Sequence, residues 1–157
     1  MPNREVQMSD PIHVTGIVVE GHGVASGRSK KSPYTGGSLI RQLPHFEKLN
    51  IPLHNYFLGT INIDISPQSM ELIAWDYEAR QTAWTDLIPP EDFFFSHCQI
   101  SHKTTPIEAM IYYPSPKTKV ENFHNPNILE ILAPKLDGLA CGDSVTMHLN
   151  PDHCRIS

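Results

Sequence analysis

Thr60 and Asn62 stand two apart in the run Gly59-Thr60-Ile61-Asn62-Ile63-Asp64-Ile65, whose odd positions are all isoleucine. Side chains alternate along a strand, so this spacing puts the oxygen-bearing residues on one face and the isoleucines on the other. Such a face suits a hydrated magnesium ion, which prefers oxygen ligands and keeps several waters for itself and for substrate phosphates. Asp64 shares the face, but a charged residue near a strand end ordinarily meets solvent. Upstream, Gly21-His22-Gly23-Val24-Ala25-Ser26-Gly27 forms a glycine-rich turn, followed by Arg28, Lys30 and Lys31. Backbone amides and cations there suit an anion, and the turn and strand together predict a nucleotide-phosphate site. A plain hairpin or barrel corner is the commoner use of such a turn.

The elements that must position these residues are short. His13–Val19 is β-branched and reads as a buried strand that ends at Gly21. Ser38 can cap a helix in which Leu39, Leu43 and Phe46 recur at helical spacing, with Pro44 predicted to break or restart it. The isoleucine strand is closed by Ser66-Pro67. Further strands are expected at Glu71–Trp75, Phe93–Cys98, Ile107–Tyr113, Ile128–Leu132 and Val145–Leu149. Glu130, between Leu129 and Ile131, is turned away from both by alternation and faces water on an edge strand unless a site claims it. Six or more short strands with few helices imply a mainly β, closed or nearly closed small barrel.

Composition agrees with that class. The chain has 157 residues, 18% of them charged and 39% hydrophobic, with a formal net charge of −5; this argues against broad nucleic-acid binding and makes any anion site local. Residues 1–12 read as a flexible leader and 13–157 as a single β-barrel domain. Cys98, Cys141 and Cys154 form an odd set without a Cys-x-x-Cys pair, so a reducing, cytoplasmic setting is expected. No apolar run approaches the roughly 20 residues of a membrane span. None of the nine histidines makes a recognised zinc spacing, although His97, Cys98 and His102 could gather a transition metal in an enzyme of another class. Trp75, Tyr77 and Trp84 read as core aromatics.

Four blocks in order resemble the archaeal CTP-dependent riboflavin kinases, cradle-loop (RIFT-like) β-barrels that phosphorylate riboflavin to FMN. They are Gly16-Ile17-Val18-Val19-Glu20-Gly21-His22-Gly23, Gly59-Thr60-Ile61-Asn62, Pro116-Lys117-Thr118, and Leu129-Glu130-Ile131-Leu132-Ala133-Pro134 followed by Gly142-Asp143-Ser144-Val145. The likeness covers about 14–67 and 107–149 and leaves 68–106 without a counterpart. It implies a six-stranded cradle-loop barrel with short helices, in which Thr60 and Asn62 hold Mg²⁺. Gly21, His22, Gly23, Val24, Ala25 and Ser26, with Lys135, Leu136, Asp137 and Gly138, would then hold the nucleotide. Thr118 and Glu130 would contact the flavin, Glu130 would orient or deprotonate the attacking hydroxyl, and Lys117 would assist electrostatically. The glycine turn and the segment Val120–Pro126 are longer than the family's, which points to a different donor or acceptor. The alternative expectation is a non-catalytic barrel that binds a nucleotide, a sugar or another small ligand. Partners are otherwise limited to the small-molecule substrate, with no nucleic acid or membrane.

Overall fold

In the computed structural model the described residues are 10–20, 34–35, 37–103, 105–118 and 125–157, with the backbone alone at 34, 35, 37 and 38. The strands are β1 (Ile12–Val19), β2 (Tyr34–Thr35), β3 (Thr60–Asp64), β4 (Met70–Leu72), β5 (Tyr77–Thr82), β6 (Glu91–Ser101), β7 (Ile107–Pro114), β8 (Ile128–Leu132), β9 (Ser144–Leu149) and β10 (Cys154–Ile156). The helix, α1, spans Gly37–Lys48. Six strands pair in the order β1-β9-β6-β7-β8-β3, and β3 returns to β1, so the antiparallel sheet closes into a barrel as expected. Closure leaves no free edge along the main ladder.

Alternation decides the two sides of the wall. Val14, Val18, Ile61, Ile63, Ile65, Cys98, Ile100, Ile111, Leu129, Ile131, Val145 and Met147 fill the interior. A second apolar layer lies outside it, where Phe93, Phe95, Met110, Tyr112 and Leu132 meet Leu39 and Phe46 of α1. Phe46 packs edge-on against both phenylalanines, with ring centroids 5.3 and 5.0 Å away. Burying a side chain of that size stabilises the fold by about 1.5–3 kcal/mol, which holds α1 across the outer face of β6–β8.

Pro44 lies inside a continuous α1, contrary to the expected break. The carbonyl it deprives of a partner belongs to Ile40, an exposed residue, so water can replace that bond while the buried stripe keeps the helix in place. The helix ends in a Schellman motif. Asn50 takes φ 60°, its amide reaches Glu47 O at 3.0 Å, and the Ile51 amide reaches Phe46 O at 3.2 Å. Ile51 and Phe46 then pack in the same apolar cluster.

Three strands go beyond the expected set. β5 adds to the first half of β6, β10 pairs with β4, and β2 pairs with β3. The expected strand Glu71–Trp75 is confined to its start, since β4 ends at Leu72, while Trp75, Tyr77 and Trp84 pack against the two apolar layers. No helix among the described residues is long and apolar enough to cross a membrane.

Candidate functional site

Thr60 and Asn62 project from the outer face of the barrel, because Ile61 and Ile63 take the interior. Both are sheltered nonetheless, at 3% and 5% exposure. A polar side chain buried on the outside of a barrel wall must be satisfied there or carry a ligand role.

The register supplies the neighbours. Asn62 lies opposite Val19 on one side and Glu130 on the other. Thr60 Oγ1 donates to Glu130 Oε1 at 3.4 Å, a long bond. On β7, Met110 and Ile111 pair with Leu132 and Ile131, so Tyr112 and Glu130 follow at the next position. Tyr112 is buried and donates its hydroxyl to Gln42 Oε1 of α1. Burial first, then the negative charges of Glu130 and Glu91, push the Tyr112 phenol well above its ordinary range, so it stays a hydrogen-bond donor. Gln42 and Glu91 are themselves buried, at 3% and 6%. The result is a sheltered polar group, Thr60, Asn62, Glu130, Tyr112, Gln42 and Glu91, drawn from five elements.

The described residues that flank the glycine-rich segment lie beside this group. The chain leaves the edge of β3 at Val19, opposite Asn62, and is back on the same edge at Tyr34 and Thr35, opposite Ile61 and Thr60. Gly21, His22, Gly23, Val24, Ala25 and Ser26 lie outside the described residues, as do the basic residues that follow them. The extension from Val120 to His124 lies outside them as well.

Lys135, Leu136, Asp137 and Gly138 follow β8 and border the same end of the barrel. The Phe57 amide, three residues before Thr60, donates to Ala133 O at 2.9 Å. Lys135 Nζ lies 5.4 Å from the centre of the Phe57 ring. Gly138 turns with φ +80°, a left-handed backbone that glycine adopts without strain, and the space where a side chain would stand is open. Further along, the Gly142 amide bonds Val18 O at 2.8 Å, tying this segment to the end of β1 from which the glycine turn departs.

Thr118 is held elsewhere. Its hydroxyl accepts the Asp92 amide at 2.9 Å and donates to Ser115 O at 3.5 Å, fastening the turn after β7 to the start of β6. Lys117 is exposed on that turn, its amide bonded to Ser115 Oγ at 3.2 Å. Asp64, on the strand face but at its far end, accepts both the amide and the hydroxyl of Ser66, at 2.8 and 2.6 Å, and these bonds lower its pKa. It caps a turn.

Other suggestive groups do not assemble. His97 is exposed beside the Tyr77 hydroxyl at 3.3 Å, Cys98 is buried inside the barrel, and His102 lies 3.1 Å from Asp143. Ser96, His153 and Asp76 resemble a nucleophile triad, yet Ser96 Oγ at 2.7 Å and Asp76 at 3.9 Å both address the same ring nitrogen, Nδ1. A relay needs opposite nitrogens, so this set cannot pass a proton along. Among the described residues no three His, Cys, Asp or Glu side chains are placed to share a metal; the donors at Thr60 and Asn62 are a hydroxyl and an amide.

Tyr112, Gln42 and Glu91 were missed by sequence reasoning. Gln42 carried a signal, being a polar residue three positions from Leu39 and four from Phe46 on the apolar stripe of the helix. The fold and group define a closed six-stranded antiparallel barrel with a sheltered, oxygen-rich row on its outer wall. No family model matches the chain, and no curated protein matches it.

Proposed function

We propose that the protein is a magnesium-dependent, nucleotide-using phosphotransferase of the riboflavin-kinase type. The observation that carries this reading is the convergence of Thr60, Asn62 and Glu130 on one sheltered outer face, with Val19 and Tyr34–Thr35, which flank the glycine-rich segment in the chain, paired to the same strand. The donor set fits a hard cation, since the Thr60 hydroxyl and Asn62 amide are oxygen ligands with a carboxylate beside them. Bound magnesium supplies charge neutralisation on the transferring phosphates.

This chain's residues do the remainder. Glu130, fed by the Thr60 hydroxyl on one oxygen, orients the acceptor hydroxyl and takes its proton as the oxygen attacks the terminal phosphorus. The bond from that phosphorus to the bridging oxygen breaks, the nucleoside diphosphate leaves, and the acceptor departs as a phosphate monoester. Tyr112 and Gln42 hold α1 against this row and keep water from it. Gly138 and its neighbours line the donor side, and Thr118 fastens the turn after β7 to the start of β6.

Purified protein incubated with riboflavin, Mg²⁺ and each nucleoside triphosphate in turn should yield FMN with at least one donor. The E130Q variant should lose roughly 100-fold or more in turnover. N62A should raise the Mg²⁺ concentration needed for half-maximal rate. Absence of product with every donor, together with absence of nucleotide binding by calorimetry, would sink the proposal; binding without turnover would instead support a non-catalytic barrel.

A further inference from the structure

The segment joining α1 to β3 buries Ile51 and Leu53, then presents Phe57 at 36% and Leu58 at 41% exposure before the buried pair Gly59 and Thr60. Large apolar side chains left at the surface beside a polar site mark a place where something planar or apolar is received. The exposure of Phe57 does not come from a slack backbone. Its amide is bonded to Ala133 O at 2.9 Å, and its own carbonyl accepts the Gly59 amide at 2.9 Å, so the ring is carried on backbone held between the segment that enters β3 and the one that leaves β8. Lys135, whose ammonium lies 5.4 Å from the ring centre, adds a positive charge over the same aromatic surface. Beyond it the turn at Gly138 leaves open space.

Aromatic ring and ammonium thus form one patch, carried three residues before Thr60 and five residues after Glu130 along the chain. A nucleotide has the matching chemistry, since its base has a π-face and its phosphates are anionic. We infer that Phe57 is the stacking platform for the base of a nucleotide whose phosphates lie toward Thr60 and Asn62, with Lys135 as the neighbouring cation. The inference rests on the proposed use of a nucleotide and assigns where its base sits. Stacking is indifferent to base identity, so Phe57 contributes affinity rather than selectivity among bases.

Calorimetry on the full chain with Mg²⁺ and each nucleoside triphosphate, and separately with Mg²⁺ and inorganic tripolyphosphate, tests this. F57A should weaken every nucleoside triphosphate by about tenfold and leave tripolyphosphate unchanged, and F57W should restore nucleotide binding. Circular dichroism verifies that both variants fold; should F57A fail to fold, the wild type and F57W still give the comparison of base-bearing with base-free ligand. Equal loss of nucleotide and tripolyphosphate in folded F57A, or no loss of either, overturns the assignment while leaving the phosphotransferase reading standing. A wild-type chain that binds tripolyphosphate as tightly as any nucleotide likewise overturns it, and one that binds no nucleotide overturns both.

Discussion

Asn62 takes its surroundings from three strands: Val19 of β1 on one side, Glu130 of β8 on the other, and Ile61 and Ile63 of its own strand turned into the barrel. Its alternation with the isoleucines was legible in the sequence, because period two is a local property of a strand. That Tyr112 and Glu91 share its face was not, since nothing local says which strands lie alongside. His148 shows the same dependence. It is paired across β1 and β9 with His13, ring centroids 4.6 Å apart, and its buried Nε2 has no hydrogen-bond partner. Burial, and then the nearby His13, lower its pKa below 6.5. The folded barrel therefore resists protonation more than the unfolded chain does. Its full stability is present above the unfolded value and declines as pH falls through the lowered one. Urea unfolding midpoints should drop as the pH falls below 6.5, and H148Q should flatten part of that drop. An identical pH dependence in the variant would show that His148 carries none of it.

At the scale of elements, the β1–β3 contact that closes the barrel depends on Gly16. A methyl group there would stand 2.6 Å from Ile63 Cγ2 and 2.8 Å from Asp64 O. The second of these atoms is backbone within the β1–β3 ladder, where Ile17 pairs with Asp64, so it has little room to yield. G16A should cost about 1–3 kcal/mol, read as a lower urea midpoint with an unchanged slope. Elements with strong local patterns were legible: Ile128–Leu132 is β8, residue for residue, and the stripe of α1 was read correctly. Pro44 misled because its helix-breaking tendency was weighed without the packing of Phe46 that overrides it. β5 carries little local signal, because Tyr77–Thr82 is mostly polar, with Ala79 its one small buried apolar residue, and it becomes a strand by pairing with β6, with an irregular register between Ala79 and Thr82.

Across the whole molecule, the small sheet of β4 and β10 covers part of the barrel core. Met70, Leu72 and Cys154 belong to the interior cluster, and the Ser69 and Ser157 amides each bond the other's carbonyl, at 3.1 and 3.0 Å. Removing residues 154–157 would expose that cluster and leave the backbone groups of β4 without their ladder. The truncated chain should unfold at lower urea, by about 2 kcal/mol or more of lost stability, with the barrel's strand signal in circular dichroism retained below the transition.

The sequence by itself determined that short strands dominate and which residues share a face on the patterned strands, Thr60 and Asn62 among them, because both follow from periodicity within a few residues. Only the tertiary structure decided that this face is the outside of the barrel, that it is nonetheless buried, and that Glu130, Tyr112, Gln42 and Glu91 gather on it. Those facts depend on which strands pair and in what register, and on a helix docking across them. Pairing is set by contacts between residues tens of positions apart, whose competing alternatives no local pattern ranks.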